Sequence, residues 1–229
     1  MPIIHDDEFG KIVIRRSPRA TQVRLRVAPD GTLRASLPLY APLFLIKRLL
    51  KTSREQLREL QNQSHNEVTY ESGMQIGKSH SLTVMPSTTL KVAREGRQIV
   101  VNLPENRTLS DPLVIRRIRE TVVTALRIEA KSYLPRRLEY LAEQHGFRYE
   151  SVRFSHASGR WGSCNSEKTI SLNIALMKLP FELIDYVLIH ELAHTKEMNH
   201  SQAFWQTVGV ADPDYKQHRA KLKQQTPSI

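Results

Sequence analysis

The sequence predicts an α+β protein, with a β-rich N-terminal lobe carrying one helix over residues 1–108 and a helix-rich C-terminal lobe over 109–229. Three observations carry that expectation. Apolar residues alternate with polar ones over Lys11–Leu39 and again within 67–104, the period of half-buried strands. Elsewhere they recur every three to four positions, the period of a helix. At 229 residues the chain is long enough to bury a substantial core, and no repeat, low-complexity tract or separating linker divides it, so the two lobes are compatible with one continuous domain.

Taken in order, Ile12 and Ile14, then Val23, Leu25 and Val27, then Leu33, Ala35 and Leu37 mark three short strands, expected to be antiparallel. Ser17-Pro18 and Pro29-Asp30-Gly31 supply the turn chemistry between them. Leu45, Leu49, Leu50, Leu57 and Leu60, with Lys and Arg interspersed, predict an amphipathic helix within Pro42–Gln63. Ser81–Val84 and Gln98–Val101 return to strand texture, with glycines at 73, 77 and 96 nearby.

Ser110 or Asp111 before Pro112 is a helix start, and Leu113, Ile115, Ile118, Val122, Ala125, Leu126 and Ile128 hold helical spacing toward His145-Gly146. Pro135 is expected to kink or split that helix. Tyr149–Leu176 reads as a second set of strands, with Ile170–Ile174 the clearest. Pro180 opens a helix running through Glu197, and shorter helices are expected over Ser201–Val208 and Asp214–Gln225.

Composition narrows the function classes. Hydrophobic residues are 40% and charged residues 25%, which fits neither a disordered chain nor a membrane bundle. The longest apolar run, Leu43–Ile46, stops at Lys47, far short of the roughly 20 residues that span a bilayer. Asp6, Asp7 and Glu8 stand where a secretory signal needs positive charge, so a cytoplasmic protein is expected. The net charge of +11 favours polyanionic partners. Cys164, the one cysteine, builds no internal disulfide, thiolate cluster or redox pair, so a metal must rest on His or carboxylate.

One motif carries chemistry. His190-Glu191-Leu192-Ala193-His194 is an H-E-x-x-H pentad inside the helix after Pro180. Residues four apart on an α-helix lie only about 40° apart around its axis, so both imidazoles reach one ion. Glu191, rotated by about 100° from His190, can address a water beside the ion without becoming a ligand. The preceding turn, Tyr186–Ile189, is apolar and keeps the site dry. His200 is the favoured third ligand, with Asn199 expected to take the left-handed conformation that turns the chain back. Glu197, Asp212 and Asp214 are carboxylate alternatives; Glu197 stands where the extended motif H-E-x-x-H-x-x-G-x-x-H has Gly. Three protein ligands with one open position is the composition of a catalytic zinc centre.

Around this motif, Arg160–Cys164, Ile170–Asn173, Pro180, Tyr186–His194 and Asn199-His200-Ser201 followed by Phe204-Trp205 together resemble the YgjP-like metallopeptidase-domain proteins, predicted metal-dependent hydrolases similar in their core to the SprT-like proteases. The resemblance is specific over about residues 150–208 and looser toward the N-terminus. It implies a zincin-like catalytic core in the C-terminal lobe, with zinc on His190, His194 and His200 and with Glu191 catalytic. It supplies no substrate.

Other residues weigh less. Cys164 beside Gly162 reads as a packed thiol and Trp161 as a core or cleft-wall residue. The strand Ile170–Ile174 is expected to lie at a sheet edge beside the motif helix, where it would hold an extended peptide, and Asn173 either supports it or is an ordinary buried Asn. His156, Arg160, Tyr215 and His218 are candidates for stabilising an oxyanion. Scattered Lys and Arg, without a nucleic-acid-binding motif, point to at most weak, nonspecific nucleic-acid affinity.

The reading is therefore a zinc-dependent metallopeptidase acting on a peptide or protein. Its rivals are a nucleic-acid-associated protein with a structural zinc site and a hydrolase of a non-peptide amide or ester.

Overall fold

The computed structural model describes residues 3–6, 8–18, 20–27, 33–57, 69–157 and 159–229. The chain divides into two compact units, Met1–Val68 and Thr69–Ile229. The lobe boundary expected from sequence was 108/109; here the strands between 75 and 103 belong to the C-terminal unit, where they pack on its long helix.

In the first unit, β1 (Ile3–Asp6), β2 (Gly10–Arg16), β3 (Arg24–Val27) and β4 (Leu33–Leu37) form a sheet in the order β1-β2-β4-β3. β3 and β4 are antiparallel as expected, but β2 and β4 run parallel, Ile12 opposite Leu33 and Ile14 opposite Ala35. Inserting β4 between β2 and β3 places the apolar Leu33, Ala35 and Leu37 at the centre of the sheet, where each contributes to the core from both neighbours. Helix α1 (Phe44–Thr52) buries Ile46 and Leu50 in the same cluster, together with Phe9 and Leu57. The rest of the expected helix, beyond residue 57, lies outside the described residues.

The second unit opens with β5 (Gln75–Ile76), β6 (His80–Pro86), β7 (Lys91–Glu95) and β8 (Gln98–Leu103), ordered β5-β6-β8-β7 with β6 and β8 parallel. Helix α2 (Pro112–His145) starts with Pro at its first turn and ends on Gly146 in the left-handed conformation, φ 63°, a position that costs Gly no strain. It continues through Pro135 as one helix and is not split. Its inward side buries Ile118, Val122, Leu126, Leu134 and Leu138.

Glu129, also on that side, is 6% exposed and accepts from the backbone N–H groups of Lys78, Ser79 and His80 at 2.6, 2.9 and 3.1 Å, from Ser79 Oγ at 2.9 Å and from His80 Nδ1 at 2.6 Å. Burial pushes its pKa up, but these hydrogen bonds outweigh burial and hold it below the ordinary carboxylate range. The turn that makes this clamp needs Gly77, at φ +65°, because a Cβ there would meet Glu129 Oε2 at 2.3 Å.

Next come β9 (Ser151–Ser155), β10 (Gly162–Cys164) and β11 (Thr169–Asn173), ordered β10-β11-β9 with β11 parallel to β9. A 3-10 turn over Ile174–Lys178 leads into α3 (Phe181–Ala193), then α4 (Gln202–Ala211) and α5 (Tyr215–Leu222). α3 is buried on nearly all sides among α2, α4, α5 and β10. Arg137 on α2 fixes its angle through a bidentate pair with Asp185, at 2.8 and 2.7 Å. Among the described residues, no helix is long and apolar enough to cross a membrane.

Candidate active site

The motif helix ends at Ala193, a turn earlier than expected, with His194 as its C-cap. Short backbone bonds from Thr195 and Lys196 to Leu192 and Ala193 tighten the exit, and Ser201 then caps α4 by accepting from the Phe204 N–H at 3.3 Å. Asn199 does not take the left-handed conformation: Lys168 is the one non-glycine residue with positive φ among those described. Reversal comes instead from ending one helix and capping the next within a few residues.

That reversal brings His200 over His190 and His194. Their ligand nitrogens all lie within 4.8 Å of one another, and the Nε2 atoms of His190 and His200 are 3.1 Å apart. His194 turns Nδ1 to the Glu197 carbonyl oxygen, 3.1 Å away, which leaves its other nitrogen for the cluster. Glu197 thus contributes its backbone, while Asp212 is occupied by His218 Nδ1 at 2.8 Å and by the Asp214 N–H at 3.1 Å. Among the described residues, the three histidines are the one group arranged to hold a metal; none of the carboxylate alternatives joins them.

Their surroundings suit a cation. Burial, reinforced by the neighbouring His194, His200 and Arg219, pushes the His190 pKa down to about 3, and burial lowers His194 as well. Both rings are therefore neutral with lone pairs available at neutral pH. The 3.1 Å separation is near the edge of a tetrahedron whose zinc–nitrogen bonds are about 2.05 Å, roughly 3.3 Å. The donor set fits a divalent ion of the zinc type.

Rings packed around the cluster hold it. Phe204, wholly buried, touches all three imidazoles at centroid distances of 5.0, 4.6 and 4.8 Å. Trp205 stacks on His200 at 5.6 Å and 20°, Tyr215 stacks on Trp205 at 5.6 Å and 16°, and the Arg219 guanidinium sits 4.5 Å over the Trp205 ring. Sequence reasoning named Phe204 and Trp205 only as matches to a family pattern. The signal was their place in the first turn of a helix directly after His200.

Glu191 is 5% exposed, and its Oε2 has no hydrogen-bond partner. Burial raises its pKa to about 8, with Arg160 pulling it back in part. Gly162 on β10 lies against it: a Cβ there would stand 2.6 Å from Oε1, 2.7 Å from Cγ and 2.8 Å from Cδ. Asn173, fully buried, anchors that approach. Its side chain donates to the carbonyl oxygens of Ala157 and Arg160 at 2.6 and 2.9 Å, and its N–H to that of Trp161 at 2.9 Å.

β11, expected at the edge, is the central strand of its sheet; its near-continuous burial from Thr169 to Asn173 requires cover on both sides, and the edge strand beside α3 is β10. Cys164 is half-buried with its thiol pKa raised by burial and by Glu191, the opposite of an activated nucleophile.

A family model for the YgjP-like metallopeptidase domain matches residues 21–225. The chain belongs to this family. It is accordingly a metal-dependent hydrolase of the metallopeptidase class. The crystal structure of the metallopeptidase zymogen of Pyrococcus abyssi abylysin shares 28% identity over 39% of this chain and 91% of that one, with a TM-score of 0.37. No curated protein matches the chain.

Proposed function

We propose that this YgjP-like chain is a zinc-dependent peptidase of the zincin type, cytoplasmic, acting on peptide or protein substrates, with His190, His194 and His200 as metal ligands and Glu191 as general base. The observation that carries this reading is a single arrangement: three converging imidazoles, and next to them a buried carboxylate oxygen with no protein partner. A site serving structure alone has no use for such a carboxylate, whose burial costs stability.

When bound, zinc supplies Lewis acidity, polarising the scissile carbonyl and lowering the pKa of water toward about 7. Glu191 removes a proton from the attacking water as the carbon–oxygen bond forms, and delivers it to the amide nitrogen as the carbon–nitrogen bond breaks. Burial raises its affinity for a proton, while a cation held by the histidines would draw it back toward the carboxylate form, so the group can both take and return a proton. β10, whose pairing among the described residues is to β11 alone, offers the remaining edge to an extended peptide beside Glu191.

The test is Glu191→Gln, which keeps size and polarity but accepts no proton. Zinc content and melting temperature should match wild type, while hydrolysis of a mixed unstructured protein substrate falls by about 10² to 10⁴-fold. Loss of metal would make Glu191 a ligand; equal turnover would remove it from the mechanism.

A further inference from the structure

Two guanidinium groups that proton transfer does not use border the site. Arg160 leads into β10: its carbonyl oxygen is held by the Asn173 side chain at 2.9 Å, and Gly162, two positions on, lies against Glu191. Two residues of extended chain span at most about 7 Å, so Arg160 joins the strand close to the carboxylate. Arg219 comes from α5. Its guanidinium rests 4.5 Å over the Trp205 ring, which lies 5.9 Å from the His190 ring and 5.6 Å from that of His200. Both charges reach the reacting groups: burial raises the Glu191 pKa and Arg160 opposes it, while burial lowers His190 and the neighbouring His194, His200 and Arg219 add to it. Both side chains are exposed, and among the described residues neither makes an ion pair or donates a side-chain hydrogen bond. Asp212 is already engaged by His218 and by the Asp214 N–H.

Such charges do nothing for a metal, because like charges repel and two guanidiniums beside a cation weaken its hold. An anionic substrate reverses the sign of that effect. We propose that Arg160 and Arg219 select peptides carrying Asp or Glu side chains close to the scissile bond. The inference rests on the peptidase reading and adds to it a class of substrate. A guanidinium presents parallel N–H donors that match the two oxygens of a carboxylate. The net charge of +11 draws acidic chains toward the protein before they reach the site. The free edge of β10 pairs with an amide backbone, which favours a peptide over other polyanions.

The experiment is fluorescence anisotropy of the full chain carrying Glu191→Gln, so that bound peptide is not turned over. The probes are labelled unstructured peptides, alike except for Glu or Gln at alternate positions. An exposed ion pair is worth up to about fivefold in affinity, so two should favour the Glu peptide by about 25-fold at about 50 mM salt, less as salt rises. Adding Arg160→Gln or Arg219→Gln should each remove about fivefold of that preference, and both together should abolish it. Arg160→Lys/Arg219→Lys should keep most of it, and removing two exposed charges elsewhere, Lys91→Gln/Lys131→Gln, should leave it within about twofold. In zinc-loaded protein with Glu191 intact, kcat/KM should show the same preference, carried mainly by KM. Absence of turnover bears on the peptidase reading, and the binding comparison is read without it. The inference is overturned if the Glu peptide does not bind or binds no tighter than the Gln peptide, or if the lysine pair costs as much preference as the arginine pair. It is also overturned if the arginine variants slow Glu and Gln peptides alike, as a role at the oxyanion requires, or if a DNA duplex binds more tightly and is the ligand those variants lose.

Discussion

Replacing Gly162 by Ala adds one methyl group at the point where β10 meets Glu191. That methyl would lie 2.6 Å from Oε1, 2.7 Å from Cγ and 2.8 Å from Cδ, against an ordinary contact of 3.4 Å or more. Two of the three atoms, Cγ and Cδ, lie on the axis about which the carboxylate rotates, so that rotation alone does not relieve the overlap. Glu191 must retreat by about 0.8 Å, and a misplacement of about 1 Å costs on the order of 10²-fold in rate. Overpacking adds a destabilisation of about 1–3 kcal/mol.

The histidine cluster is untouched, so Gly162→Ala should keep its zinc, melt several degrees lower and lose about 10²-fold in kcat with KM little changed. Combining it with Glu191→Gln separates position from packing: the double variant should be no slower than Glu191→Gln alone. If Gly162→Ala slows the Gln variant by the same factor as wild type, its effect does not run through Glu191 and the reasoning fails.

His190→Ala and His194→Ala should each abolish zinc loading by elemental analysis, His200→Ala should weaken it strongly with the fold intact, and Asp212→Asn should leave it unchanged; normal metal content in the first two would end the metal assignment. Trp205→Ala should weaken zinc affinity by about 10 to 100-fold through loss of the ring that holds His200, with Trp205→Phe restoring most of it, measured by chelator competition. Glu129→Ala strands the N–H groups of Lys78, Ser79 and His80, the last of them buried, together with the buried His80 ring, and should cost about 3–5 kcal/mol by urea denaturation. Because the folded pKa of Glu129 lies below its unfolded value, its contribution is complete above the ordinary carboxylate range and disappears as pH falls through the folded pKa, so the acid-side loss of stability should be shallower in Glu129→Gln.

What the sequence made legible was local. The long helical spacing from Leu113 to His145 and the pentad at His190 need only neighbours along the chain to be recognised, and both fall on helices in the structure. Pairing was less accessible. β1 is four residues with no clear alternation, and the parallel registration of β2 with β4 depends on β4 being inserted between β2 and β3, which no local pattern encodes. Gly162, Asn173 and Trp205 matter through side chains or backbone brought to them by folding: Gly162 touches Glu191 across 29 positions, and the Asn173 side chain reaches back 13 positions to Arg160. Asn199 illustrates the converse, a residue whose propensity suggested a turn conformation that neighbouring caps made unnecessary.

The three histidines lie between positions 190 and 200, with the short exit from α3 as the chain between them. An ion joining them closes a very short loop, and the entropy removed from the unfolded chain by a cross-link grows only with the length of the loop it closes. Such an ion would restrain little that the apolar packing of α3 and α4 does not already restrain, since Ile184, Leu188, Leu192, Phe204 and Val208 are fully buried. The folded chain is therefore expected to outlast a bound ion. On that reading, a chain that lost its ion would remain a receptive scaffold, and supply of the ion would set activity without the chain having to unfold and be remade.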